Sequence, residues 1–387
     1  MFGIFGIAQT SWMGRLPSIR AALDISDGSL GLILTVAAVG ALVGVTLVTS
    51  VIMRLGSATT MRISMIGSLL GFTAMGIGTA LGSVSLFTLG LMTNTLVTPG
   101  TNVPINLEAA RVEKPLGKAI LPQVHAAFSV GALIGAGLAA GTSALSIHPA
   151  WHVIGVIALV TVGRFFLIAP GCELQLAPTR QGGATSMTRQ RGGVARALGE
   201  RRTVLLGLVI LAATMSEGSA ANWLNIAVTD SFQIREFIGA MAYGTFVVSM
   251  LTVRLLGTGL LKRFGRVAVL RLSGVSALAG LLLFGLAPNL ALAWVGIVFW
   301  GAGAAMAWPI GTSAAADDPN RAAARVSVVN SFASMASIMF PPVLGLLADT
   351  WGIRNALLLI TGTMVLSIVV AGQARPERRA ATELCAD

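Results

Sequence analysis

The stretch MSEGSAANWLN, residues 215–225, holds a single carboxylate, Glu217, inside a long apolar run. An acid there offers two kinds of chemistry: it can carry a proton, or it can bind the polar part of a solute. At 1.5 Å per residue Glu217 stands about 22 Å from Arg202 and about 20 Å from Asp230, which is mid-bilayer if the run crosses a membrane. At 100° per residue, Thr214, Glu217, Asn222, Asn225 and Thr229 share an arc of about 140°. Such a polar stripe can line a cavity while the rest of the helix packs. An acid at the centre of a membrane helix costs roughly 2.5 kcal/mol or more, and those that persist usually mark function. Burial favours the neutral form, so a carboxyl that ionises when water enters can load and release a proton. Glu217 is therefore the candidate for proton coupling or substrate binding. The competing account is an uncharged carboxyl hydrogen-bonded to a neighbouring helix.

Amides form a second set. Asn94, Thr98, Asn102 and Asn106 recur every four residues, a spacing that stacks them on one helix stripe. Pro99 and Pro104 interrupt the stripe and free backbone carbonyls that can line a cavity. Asn102, Asn106, Asn222, Asn225 and Trp308 (beside Pro309) are the candidate cavity residues, and their amides suit a neutral polyhydroxy or amide-bearing solute. Interhelical hydrogen bonding, worth about 0.6 kcal/mol per contact, competes as an explanation, above all for Asn94. Trp223 lies opposite the polar arc and reads as packing, whereas Trp12 and Trp351 read as interface anchors. His125 and Asn330 fall near helix ends. Histidine titrates near neutral pH, which makes His125 a gate candidate beside the simpler reading of a loop-bonded side chain.

The elements that must position these residues are membrane helices. Hydrophobic residues make up 55% of the chain and charged residues 11%, against about 25% charged in a soluble domain. Residues 63–107 and 272–316 contain no Asp, Glu, Lys or Arg. A crossing takes about 20 apolar residues, so each of these stretches holds two helices, with turns near Gly82-Ser83 and Pro288-Asn289. Splitting the chain at charge clusters and turns predicts twelve spans: 2–14, 29–53, 63–81, 84–107, 120–145, 150–169, 203–229, 237–261, 269–287, 290–316, 326–347 and 355–372.

Charge sets the orientation. Alternate loops carry twenty Lys and Arg on one side of the bilayer and four (Arg15, Arg20, Arg235 and Arg354) on the other. Basic residues accumulate in cytoplasmic loops, so both termini are expected in the cytoplasm. The net charge of +11 is thereby explained as topology rather than nucleic-acid binding. Two cysteines, Cys172 and Cys385, define neither a disulfide framework nor a metal site. There is no nucleophile triad and no phosphate loop, so the sequence points to no enzyme, no ATPase and no cofactor beyond a proton as coupling ion.

The halves repeat at an offset near 210. MRLGS (53–57) aligns with KRFGR (262–266), Leu30-Gly31 with Ile238-Gly239, TPGTN (98–102) with WPIGT (308–312), and Trp12 falls near Trp223. Repeated transmembrane halves characterise secondary transporters, with the substrate site near the midplane between them. The expected organisation is a first bundle at 1–169, a cytoplasmic linker at 170–202, a second bundle at 203–372 and a tail at 373–387. Pairing Trp12 with Trp223 sets Met1 opposite Ala212, and the first span has only about 13 apolar residues, short of a crossing. The first helix thus reads as truncated, with a start upstream or a defective helix as the two explanations. Glycines four apart, as at Gly40/Gly44, Gly67/Gly71, Gly131/Gly135 and Gly137/Gly141, let helices approach closely.

At this level the chain resembles the major facilitator superfamily. Within it, SWMGRLPSIRAALDIS, NVPINLEAARVEKPLGKAILPQVHAAFSVG, EGSAANW and RLLGTGLLKRFGRVAVLR are similar to the YbjJ-type bacterial inner-membrane permeases. The resemblance implies an all-α polytopic protein of two pseudo-symmetric six-helix bundles that moves a small solute by alternating access, usually driven by protons. It also implies a loop motif surviving as Arg54, Gly56, Arg263, Gly265 and Arg266, which ties helix ends together. Arg254 matches an arginine of the same pattern and is expected to pair with Asp317 or Asp318 in a cytoplasmic gate. Met53 and Lys262 stand where the motif has an acid, and Asn102 and Asn222 where related sequences tend to carry Asp. The expected function is a monomeric secondary transporter of a small polar organic solute, the expected partners being that solute and the lipid bilayer, with no nucleic acid. Efflux, uniport and a non-transporting receptor or assembly factor are the alternatives.

Overall fold

A computed structural model describes residues 1–116, 121–171, 193–318 and 321–377. Most of the expected linker with Cys172, the end of the tail with Cys385, and the side chain of His125 lie outside the described residues. Within them the chain forms helices and no strand. In order these are α1 (Phe2–Met13), α2 (Leu16–Leu23), α3 (Asp27–Ala80), α4 (Val84–Val97), α5 (Pro99–Leu116), α6 (Leu121–Ala144) and α7 (Pro149–Gly171). The second half continues with α8 (193–198), α9 (Arg201–Phe232), α10 (Glu236–Leu286), α11 (Leu290–Ala304), α12 (Ala307–Ala315), α13 (Ala322–Trp351), α14 (Ile353–Leu357) and α15 (Leu359–Val370). A 3₁₀ turn, Ala371–Ala374, closes the series.

Among the described residues, eight helical segments are long and apolar enough to cross a membrane, and two of them, α3 and α10, are long enough to do so twice. α3 and α10, at 54 and 51 residues, each break once, at Gly56 (φ 79°, ψ 166°) and at Gly265 (φ 76°, ψ 165°). Those angles fall in a region essentially reserved for glycine. The chain doubles back there. A Cβ on Gly44 would lie 2.1 Å from the Leu96 carbonyl, and one on Gly67 would lie 2.7 Å from Val97. Residues 23 positions apart on α3 thus touch adjacent residues of α4. With the shorter α1 and with α4 continuing into α5 at Thr98-Pro99, the crossings number twelve among the described residues. They fall in two bundles of six, as the span pattern predicts.

The hairpin caps follow local chemistry. Ser83 accepts a hydrogen bond from the Leu86 amide (3.4 Å), and Asn289 accepts one from the Leu292 amide (3.0 Å). Each satisfies one of the free N–H groups that every helix start leaves exposed. These are the two turns expected near Gly82-Ser83 and Pro288-Asn289. α1 has 12 residues, about 18 Å of helix. It packs closely against α6: a Cβ on Gly131 would lie 1.8 Å from the Gly3 carbonyl.

The two halves are joined at the end of the molecule that carries the short hairpin loops. Arg15 pairs with Glu236 (3.0 Å) and Arg20 with Asp230 (2.6 Å). Asp349 accepts from the Gly28 amide and the Ser26 hydroxyl, both at 3.0 Å. The opposite end, which carries the chain termini, holds a charge cluster within the second half. Asp317 accepts from Arg202 (3.0 Å) and Arg266 (2.7 Å), and Glu200 from Arg325 (2.6 Å).

Candidate functional site

A cavity of about 740 Å³ lies between the halves, framed by α1, α3, α4, α9 and α13. From the first half come Gln9, Trp12 and Met13, the alanines of α3, and Leu91 and Thr95. α9 supplies Thr214, Met215, Gly218, Ser219, Asn222 and Trp223, a set spaced one turn apart along one face. α13 closes the wall with Ala336, Ser337, Phe340 and Pro341. The polar groups are hydroxyls and amides, with no charge among them. They alternate with apolar and aromatic surface, the usual lining of a small-molecule site. Gln9 is held by donating to the Thr98 hydroxyl (3.2 Å).

Glu217 is not among the lining residues but stands beside Gly218, and its carboxylate is engaged. Arg254 on α10 donates from Nη2 to Glu217 Oε2 at 3.1 Å and from Nε to the Ala305 carbonyl at 3.2 Å. The Glu217 and Arg254 side chains remain 37% and 31% exposed. The expected partnership of Arg254 with Asp317 or Asp318 is thereby corrected. Arg254 sits about 12 Å by helical rise from Lys262, level with Glu217, while Asp317 is taken by Arg202 and Arg266. Ion pairing of two intramembrane groups is the common solution to their desolvation.

The other candidates divide. Asn222 lines the cavity, together with Thr214 of the predicted arc. Asn225, expected there, is 2% exposed and donates to the Gly14 carbonyl at 2.6 Å. It ties α9 to the turn between α1 and α2, a joint between halves rather than a wall. Asn106 donates to both the carbonyl (2.9 Å) and the side-chain oxygen (2.7 Å) of Asn102. Their amides are spent on one another within α5, away from the cavity wall. Trp308 on α12 is 37% exposed and also lies off that wall. Of the loop-motif residues, Arg266 ties α10 to Asp317 and to the Ser313 hydroxyl (2.9 Å). Arg54 and Arg263 make no ion pair among the described residues, and Gly56 and Gly265 form the two reversals.

Residues missed from sequence are Gln9, Trp12 and Ser337 in the wall, and Arg15 with Glu236 at the joint. The signal for the last pair was present: four basic residues on the sparsely charged side, two of which meet acids of the other half. Gln9 lay hidden in a first helix judged too short to cross.

Comparison with known proteins places this geometry. The family model described as Major Facilitator Superfamily matches residues 1–326 and 206–384. The chain belongs to the Major Facilitator Superfamily, and it is a multi-pass membrane protein with the fold of a transporter. Among relatives, it is 29% identical over 373 residues to a protein of Sinorhizobium fredii named "Uncharacterized transporter y4wD", covering 96% of this chain and 95% of the other. It is 24% identical to "Membrane protein MosC" of Rhizobium meliloti over 94% of this chain and 86% of that one. Among solved structures it superposes on a mutant form of the nucleoside transporter NupG with a TM-score of 0.80 at 14% identity, covering 96% and 98% of the two chains. A D-xylose-proton symporter gives a TM-score of 0.73, also at 14% identity, covering 98% and 97%.

Proposed function

We propose that the protein is a secondary transporter that moves a small, neutral, polyhydroxylated solute by alternating access, with Glu217 as the proton-coupling group. The observation that carries this reading is the uncharged polar cavity between the halves, with one ion pair, Glu217–Arg254, joining α9 to α10 one residue from the cavity wall. Hydroxyl and amide lining recognises a solute that itself donates and accepts hydrogen bonds, and Trp12, Trp223 and Phe340 give the wall an apolar backing. The nucleoside and xylose transporters of like fold handle solutes of that description by their names. The joints clustered at the hairpin end support a state closed there, with the cavity reached from the termini end. Basic residues crowd the termini end, so we place that end in the cytoplasm and the protein in the inner membrane, as a monomer. Residues 1–169 and 203–372 are the bodies that rock, joined by 170–202 and followed by the tail 373–387.

Protonation of Glu217 would remove its charge from Arg254, and the pair would part. That is the coupling step: one protonation state holds α9 against α10, the other releases it. Purified protein in liposomes, offered radiolabelled nucleosides and pentoses under an inward proton gradient, tests the reading. Saturable uptake that rises with the gradient and becomes gradient-independent in Glu217→Gln supports it. Uptake equal with and without the gradient would make the protein a uniporter, and binding without flux would make it a receptor.

A further inference from the structure

Two grooves outside the central cavity are related by the internal repeat. The larger, about 1120 Å³, runs between both limbs of α10 and α11. The smaller, about 460 Å³, runs between both limbs of α3 and the α4–α5 crossing. Val51, Thr60 and Ser64 line the first-half groove where Leu260, Val269 and Ser273 line the other, each 209 positions later. That offset also relates Gly56 to Gly265. The larger groove faces outward: Phe264 is 55% exposed and Leu272 71%. Its lining runs from Phe264 to Ala279 along α10, about 21 Å of helix from Gly265. A leaflet of hydrocarbon is about half of the 30 Å core, so the groove spans the depth of one acyl chain.

Its mouth is basic. The Arg263 guanidinium lies 5.4 Å from the ring centroid of Phe264, a groove residue, and Lys262 adjoins it. Arg266 is already paired with Asp317, whereas Lys262 and Arg263 carry no ion pair among the described residues. An apolar slot one leaflet deep, with the Arg263 guanidinium over its Phe264 wall and Lys262 next to it in the chain, neither in an ion pair among the described residues, matches one class of molecule. We propose that this groove is a binding site for an anionic phospholipid, with an acyl chain against α10 and α11 and the phosphate at Arg263, Lys262 adding positive charge beside it.

The test is native mass spectrometry of the full chain in detergent with added phosphatidylglycerol or phosphatidylcholine of matched acyl chains. Phosphatidylglycerol should be retained preferentially, and Lys262→Gln/Arg263→Gln should lower that retention roughly tenfold or more while leaving phosphatidylcholine unchanged. Equal retention of the two lipids, or an unchanged double variant, would overturn the proposal. A second measurement avoids dependence on how the variant folds: phosphatidylglycerol with a photoreactive group on its acyl chain, cross-linked to the unmodified protein. Adducts at Leu272, Val275 or Phe299 agree with the groove, and adducts confined to other faces refute it.

Discussion

Arg254 donates to Glu217 across the α9–α10 contact at 3.1 Å, and the same guanidinium holds the Ala305 carbonyl at 3.2 Å. One arginine thus gathers three crossings of the second half at the level of the cavity. Both charged side chains stay about one-third exposed, and partly exposed ion pairs contribute about 0–1 kcal/mol. Glu217→Gln and Arg254→Gln should therefore change the unfolding temperature of the purified protein by only a few degrees. Transport should respond far more, with loss of the pH dependence of uptake in Glu217→Gln. A large drop in stability without a change in pH dependence would assign the pair to packing.

The Arg15–Glu236 pair behaves differently because it is buried, at 3% and 10% exposure. Glu236 also accepts from the Ser18 amide and the Ser143 hydroxyl, both at 2.8 Å, so one carboxylate binds three segments of the first half. Removing one partner of a buried pair costs about 3–5 kcal/mol. Opening the hairpin end to water would relieve that cost, so Glu236→Ala should shift the population toward an open hairpin end. Spin labels placed on the loops near Ser146 and Gln233 should report a longer distance by electron-electron resonance. An unchanged distance distribution would show that the pair does not latch the halves.

How much of this was legible in the sequence depends on the kind of signal. Crossings were legible because apolar length and charge-free stretches are local properties, and Ser83 and Asn289 cap helices where the turns were expected. The reversals were legible through repetition: MRLGS and KRFGR place glycine at the same step, and both glycines take nearly the same angles. The polar arc of α9 was half legible. Periodicity put Asn222 and Asn225 on one face, but whether that face meets a cavity or another half depends on helices distant in sequence. Asn225 meets the Gly14 carbonyl, and Asn102 finds Asn106 four residues on, neither of which helical spacing alone can decide. Glycine spacing shows the same limit. Gly131 and Gly135 seat α6 on α1, whereas Gly137 and Gly141 meet nothing within 4 Å.

The cluster at the termini end should respond to acid. Partial burial raises the Glu200 carboxyl, but hydrogen bonds from Arg325 and Thr203 outweigh it and hold the group below its ordinary 4.5. Asp317 follows the same pattern: burial opposes, Arg266 and Arg202 prevail, and it lies below its ordinary 3.8. Groups with a depressed folded pKa contribute stability that is present above the unfolded value and lost as pH falls through the folded one. The cluster should be intact at pH 6 and weaken progressively below about pH 4.5. Glu200→Gln loses charged hydrogen bonds worth about 1.5–3 kcal/mol, and its thermal stability should be lower than wild type at pH 7. The difference between the two proteins should narrow as the pH approaches 3. A constant difference across that range would remove Glu200 from the acid response.

Gly56 and Gly265 allow a test in which sterics and backbone are separable. A Cβ at either position would meet nothing within 4 Å, so any penalty comes from the backbone angles alone. At φ 79° and 76° with ψ near 165°, a residue with a side chain is strained by about 1–3 kcal/mol. Gly259 supplies the contrast, since it lies inside α10 with helical angles and equally open space around its Cα. Gly56→Ala and Gly265→Ala should each lower the unfolding temperature in detergent. Gly259→Ala should leave it unchanged or raise it slightly, because alanine is favoured over glycine within a helix by about 1 kcal/mol. Equal behaviour of all three variants would mean that α3 and α10 reverse direction by some other means than these two angles.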